Sequence, residues 1–294
     1  MTVRTRRGVA SILCSFMLLA CASTQQRAGE PARVALVIGN GAYANVPSLT
    51  NPLHDAADMC AALRRVGFKT LCYTNVPDRA EFDAHVTEYV EQLGPRSVGV
   101  FYYSGHGVQA HGANFMIPTE VQLASATQDP LQVLYGLDTV FARLRQKPAQ
   151  LQLVILDACR TDLFAATQAT GRGAAGASTE PSLVRALATL AQASNGLARI
   201  TDAPPATMVL YATASKDAAF DGEGRNGPLT KYILRHIGAR GLPLEEFIKR
   251  VTSDVENETA RDYDKRQTPF IYGSFTGSFC FAGCPGESAV PPVF

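Results

Sequence analysis

Hydrophobic positions along this chain fall into continuous runs and spaced stripes that take turns. The runs are Arg33–Asn40 (RVALVIGN), Phe68–Thr74 (FKTLCYT), Ser97–Gly107 (SVGVFYYSGHG), Leu151–Asp157 (LQLVILD) and residues 206–214 (ATMVLYATA). Short apolar runs rich in β-branched and aromatic residues, without polar alternation, predict strands covered on both faces. Residues 51–66 instead carry Leu53, Ala56, Cys60 and Leu63 on one helical face, with Asn51 as cap, Pro52 in the first turn and Gly67 as the stop. Asp78 opens a second helix to Leu93, with Glu81 completing a capping box. Further helices are predicted around Asp138–Gln146, from Pro228 through Ile237, and from Pro243 through about Ala260. VQAHGANFMIP predicts a hairpin turning at His111–Asn114, and the closing stretches PFIYGS and SFCFAG supply an edge strand or hairpin. Strands alternate with helices, so the predicted fold class is α/β around a mostly parallel sheet.

Two regions fall outside that alternation. Residues 165–205 are rich in Ala, Gly, Ser, Thr and Gln and read as a flexible linker, with one helix predicted over Ser182–Ala193. At the start, Arg4, Arg6 and Arg7 precede a mostly apolar stretch, Val9–Ala20, too short to span a bilayer as a helix. Residues 1–20 therefore read as a targeting leader. It ends in Leu18-Leu19-Ala20-Cys21, which resembles a bacterial lipobox and implies cleavage before Cys21 and lipidation of its thiol. The expected location is the bacterial cell envelope, lipid-anchored and facing the periplasm. Residues 21–32 read as a tether.

The 294 residues are 46% hydrophobic with a formal net charge of +1, ample for a packed core and without the basic excess of a nucleic-acid binder. Losing three arginines with the leader leaves 24 basic against 26 acidic residues, a net charge of −2. An exported chain meets an oxidising compartment, so its cysteines can pair. Cys280 with Cys284 is a plausible short staple; Cys60 with Cys72 is the weaker alternative, and with Cys159 the five are odd in number, so one thiol stays free. Cys and His spacing offers no zinc site.

Two predicted strands end in reactive residues: Ser104-Gly105-His106-Gly107 and Asp157-Ala158-Cys159-Arg160. In a parallel sheet, strand C-termini share the edge where ligands bind, and neighbouring strands are about 4.8 Å apart. A thiol beside an imidazole is the minimum for nucleophilic acyl transfer: the ring takes the thiol proton and later delivers it to the departing amine. The backbone amides of Gly107 and Cys159 are placed to hold the oxyanion.

Here the chain resembles a family. YYSGHG followed some fifty residues later by ILDACR, with RVALVIGNGAY, LTNPLHDAADMCAALRRVGF and APPATMVLYATASKDAAFDGEGRNGPLTKYIL, resembles the caspase-like cysteine peptidases (clan CD, family C14), in their bacterial metacaspase- and orthocaspase-like branch. The resemblance implies a three-layer fold with a six-stranded, mostly parallel sheet and helices on both faces. The peptidase domain would cover residues 33–281: a larger part (33–164), the linker (165–205), a smaller part (206–281), then a tail (282–294). It implies His106 as general acid/base and Cys159 as nucleophile.

Caspases select aspartate before the scissile bond, whereas metacaspase-like members select Arg or Lys with acids. Asp157 stands where caspases carry glutamine, Asp55 falls at the matching acidic position, and Ser104 matches the pocket serine. Two carboxylates in a narrow pocket attract a guanidinium and repel aspartate. The expected activity is a cysteine endopeptidase (a hydrolase, thiol protease) cutting protein or peptide substrates after Arg or, less well, Lys. Self-cleavage at Arg172, Arg185 or Arg199 of the linker is part of that expectation. A catalytically weak scaffold that binds peptides or partner proteins is the alternative. No cofactor or metal is required; the acidic loop with Asp217, Asp221 and Glu223 reads as solvated surface or a calcium site, and spacing alone does not support calcium.

Overall fold

A computed structural model describes residues 32–125, 127–159, 183–192, 200, 202–213 and 224–286, with Cys159 and residues 188–192 described by their backbone only. The strands are β1 (Arg33–Gly39), β2 (Lys69–Thr74), β3 (Val98–Ala110), β4 (Ala113–Met116), β5 (Tyr135–Gly136), β6 (Leu151–Cys159), β7 (Thr207–Tyr211) and β8 (Phe270–Gly273). The helices are α1 (Pro52–Arg65), α2 (Arg79–Glu91), α3 (Leu137–Gln146), α4 (Leu183–Gln192), α5 (Pro228–His236) and α6 (Leu244–Asp262).

The main sheet runs β2-β1-β3-β6-β7-β8. Its first five strands are parallel and β8 closes it antiparallel. The apolar runs split by alternation, as a two-sided sheet requires. Val98, Val100, Tyr102, Leu151, Leu153 and Ile155 pack on one face with α1, α5 and α6. Phe101, Tyr103, Val154, Leu156 and Ala158 pack on the other with α2 and α3. This is the three-layer fold expected, with six strands in the main sheet and a small antiparallel addition of β4 and β5.

Local chemistry explains the element ends. Asp78 caps α2 by accepting from the Glu81 amide at 2.9 Å. Asn51 does not cap α1 with its side chain, contrary to expectation; Pro52 simply opens the helix. β3 does not stop at the histidine as expected. It runs on past His106 and folds back through a two-residue turn, His111 (φ +49°) and Gly112 (φ +79°), into β4. Both turn residues are left-handed, the geometry that suits a tight hairpin. The predicted linker helix exists as α4. Its Leu183 and Leu187 are buried with Tyr43, Val46, Val108 and Ile117 in a third apolar cluster, so this part of residues 165–205 is docked on the domain.

Both cysteine pairs form. Cys60 on α1 joins Cys72 on β2, and Cys280 joins Cys284. The first spans 12 positions and ties α1 to the sheet's edge strand; closing a loop of that size contributes ~3 kcal/mol in the chain-entropy account. Cys159 belongs to neither pair.

Candidate active site

The chain leaves β1 for β2 on one side and returns to β3 on the other. The strand order therefore reverses between β1 and β3, and α/β sheets bind ligands at the carboxyl ends of such strands. The loop after β1 carries Tyr43 and Pro47, and β3 presents His106. Across β3 and β6 the register sets Ser104 opposite Asp157, Gly105 opposite Ala158, and His106 opposite Cys159.

His106 is 1% exposed. Its Nε2 lies 2.7 Å from the carbonyl oxygen of Pro47. A carbonyl only accepts, so Nε2 carries the proton and, in the neutral ring, Nδ1 carries the lone pair. The Tyr43 ring sits against the imidazole, centroids 4.7 Å apart.

One step into the sheet, Asp55, Ser104 and Asp157 converge. Asp55 reaches them from the first turn of α1, and it is 2% exposed. Ser104 Oγ donates to Asp55 Oδ2 at 3.1 Å. Asn226 Nδ2 and the Gly227 amide, at the head of α5, both donate to Asp55 Oδ1 at 3.1 Å. Thr230, in the first turn of α5, donates to Asp157 Oδ2 at 2.7 Å. The Thr230 hydroxyl proton is thereby committed, so Tyr102, 2.5 Å away, donates to Thr230 Oγ1. Burial, and then the Asp157 charge, pushes the Asp55 carboxyl well above the ordinary carboxylate range. Both acids are buried, and hydroxyl, amide and backbone donors hold them. One turn along α1, Arg225 grips Asp58 at 2.8 and 3.0 Å.

Sequence reasoning singled out neither Asn40, Tyr43 and Pro47 around the histidine nor Asn226 and Thr230 around the acids. Asn40 is fully buried; its side chain donates to the Ile117 carbonyl at 3.1 Å and accepts from the Val76 amide at 2.9 Å. A polar residue closing an apolar strand was the available signal for Asn40, and Asn-Gly-Pro before a helix the signal for Asn226. His54 is exposed and away from this chemistry, and His111 lies in the hairpin turn. Cys21, Arg172, Arg199, Asp217, Asp221 and Glu223 lie outside the described residues.

Residues 32–280 match the family model for the caspase domain. The chain belongs to the caspase-domain peptidase family, C14. Two curated proteins resemble it over part of this caspase domain. The mucosa-associated lymphoid tissue lymphoma translocation protein 1 of Homo sapiens is 30% identical over 128 residues, covering 44% of this chain and 15% of that protein. Its Mus musculus homolog is 29% identical over 139 residues, covering 46% and 16%. The match thus spans about a sixth of those relatives' length. Among solved structures, caspase-1 from Spodoptera frugiperda has the same fold at TM-score 0.56 and 14% identity, over 88% of this chain and 93% of that one. A structural-genomics target from Geobacter sulfurreducens aligns at TM-score 0.58 and 19% identity, over 84% and 95%.

Proposed function

We propose that this caspase-domain protein is a cysteine endopeptidase that hydrolyses peptide bonds after Arg, and more slowly after Lys, with Cys159 as nucleophile and His106 as general acid/base. The observation that carries the reading is the β3–β6 register, in which His106 faces Cys159 while Ser104 faces Asp157 two residues earlier.

The steps follow from the site's chemistry. With Nε2–H committed to Pro47, neutral His106 accepts the thiol proton at Nδ1. The sulfur adds to the carbonyl carbon, and the resulting oxyanion takes hydrogen bonds from the amides of Gly107 and Cys159. The hairpin register keeps the Gly107 amide out of the β3–β4 ladder. Ala110 and Ala113 flank the two-residue turn as a hydrogen-bonded pair, and Ile117 donates to the His106 carbonyl at 3.1 Å. Gly107 and Met116 are therefore a non-bonded pair, and the Gly107 N–H points away from β4. The imidazolium then protonates the leaving amine, and His106 activates the water that hydrolyses the thioester. The reaction so written needs no cofactor.

Asp55, Ser104 and Asp157 form the pocket for the residue before the scissile bond. A guanidinium offers planar paired donors to carboxylates, which a lysine ammonium cannot match. Lipidation at Cys21, anchoring in the cell envelope and self-cleavage in the linker belong to the same proposal.

The test is turnover of peptides bearing Arg, Lys or Asp before a reporter group, beside Cys159→Ala and His106→Ala. The expectation is rapid release after Arg, slower after Lys, none after Asp, and a loss of at least ~1,000-fold in either variant. Release after Asp alone, or full activity in Cys159→Ala, refutes the assignment.

A further inference from the structure

The peptide unit of His106 is held at both ends by tyrosine hydroxyls. Its amide donates to the Tyr43 hydroxyl at 2.8 Å. Its carbonyl accepts from the Tyr103 hydroxyl at 2.7 Å. The two hydroxyls lie 3.4 Å apart. Because the Tyr103 proton points to the carbonyl, the link between the hydroxyls runs from Tyr43 to Tyr103. The hydrogen bonds thus circulate in one sense: His106 N–H to Tyr43, Tyr43 to Tyr103, Tyr103 to His106 C=O. The Tyr43 ring also lies against the imidazole that this peptide carries. All three residues are buried, Tyr103 completely.

The neighbouring glycine shows how tightly this ring is built. Gly105 has φ +153°, and a Cβ there would stand 2.7 Å from both tyrosine hydroxyls and 3.0 Å from the Asn40 carbonyl. A side chain at residue 105 would expel the hydroxyls from the His106 peptide. The Gly105 backbone is therefore fitted to the tyrosine pair as well as to the strand.

We propose that Tyr43 and Tyr103 are a positioning pair for His106: their linked hydroxyls fix the His106 peptide, and the Tyr43 ring fixes the tilt of the imidazole between the Pro47 carbonyl and Cys159. This rests on the reading of His106 as general acid/base and extends it to two residues that act through the histidine. The physical reason is alignment. Proton transfer between ring and thiol depends on sub-ångström geometry, and a misplacement of about 1 Å costs on the order of 100-fold. The Pro47 carbonyl fixes the ring at Nε2, and the Tyr43 ring packs against its face.

The test uses the full chain with Tyr43→Phe, Tyr103→Phe and the double variant, each of which keeps its aromatic ring. Two quantities are read: kcat and KM on the Arg peptide, and the pH dependence of Cys159 alkylation by iodoacetamide, followed by mass at the Cys159 peptide. Each single variant is expected to lower kcat roughly 10- to 100-fold with KM within about 2-fold, and to move the alkylation profile to higher pH. The double variant is expected to lose little more than the worse single one, since one broken link opens the whole ring. A purely structural role would lower the folded fraction and leave the alkylation profile of the folded enzyme in place; that result, or wild-type kcat in both variants, overturns the proposal. His106→Ala separates the two layers. If His106→Ala leaves alkylation and turnover unchanged, the general acid/base reading falls and the positioning pair with it. If His106→Ala is impaired while both Phe variants match wild type, the tyrosine pair alone falls.

Discussion

Asp55 is the residue whose chemistry differs most from its solution behaviour. Its carboxyl rises from the ordinary 3.8 to about 8, first because burial penalises the charge and second because Asp157 repels it. Near neutral pH Asp55 therefore carries a proton, and in the proposed pocket a guanidinium would have to displace it. Affinity for a small amidinium ligand such as benzamidine, which mimics the guanidinium's paired donors, is expected to strengthen as pH rises from about 6 to about 8, by up to tenfold per pH unit, and then level off. The folding linkage has the opposite sign. The folded protein binds more protons than the unfolded chain between the two values, so the stability contributed by Asp55 is present below pH 3.8 and is lost as pH rises through about 8. Asp55→Asn should flatten both dependences. Calorimetry in buffers of different ionisation enthalpy reads the released proton directly, and pH-independent binding to the wild-type protein would contradict the shared-proton pocket.

At the scale of elements, α4 bears on the self-cleavage expected of the linker. Proteases of many kinds take their substrates as extended strands, which add backbone hydrogen bonds to the enzyme. Arg185 lies one residue beyond Val184 in a helix whose Leu183 and Leu187 are buried. Presenting Arg185 would require unwinding α4 and exposing both leucines, at roughly 1.5–3 kcal/mol each. Self-cleavage is therefore expected at Arg172 or Arg199, with Arg185 intact, and with Arg185 becoming a cut site only in Leu187→Asp, where the helix loses its anchor. Fragment masses distinguish these outcomes; a cut after Arg185 in the wild-type chain would show that α4 releases readily. The same element is the one helix expected within residues 165–205. Ala, Ser and Gly dominate there, yet Leu183 and Leu187, one helical turn apart, pack in a cluster with Val46, Val121 and Leu134. Composition averages over a segment, whereas docking depends on one face of it.

For the whole molecule, the sequence pattern anticipates a folded body preceded by a removable leader and a tether. Among the described residues no helix is long and apolar enough to cross a membrane. Cys21→Ser is expected to move the protein from the detergent-requiring membrane fraction to the soluble periplasmic fraction while leaving turnover of the Arg peptide unchanged. Equal membrane association of Cys21→Ser and wild type would rule out the thiol as the anchor.

The sequence by itself determined the class of architecture and the pair of strands that end at His106 and Cys159. Local rules are sufficient for that: apolar runs make buried strands, spaced stripes make helices, and His106 and Cys159 stand just past apolar cores of equal phase. What only the tertiary structure decided was which distant residues meet. Asp55 and Ser104 are 49 positions apart and Asp55 and Gly227 are 172 apart, yet each pair shares a hydrogen bond. Their approach is set by the strand order and by the two helices packed on one sheet face, neither of which leaves a local periodic signal. The Cys60–Cys72 link has the same origin, because it needs α1 to lie across the edge strand. So do Tyr43 and Tyr103: in sequence they are one aromatic in a loop and one in a strand, and only the fold brings their hydroxyls to the amide and the carbonyl of one residue, His106.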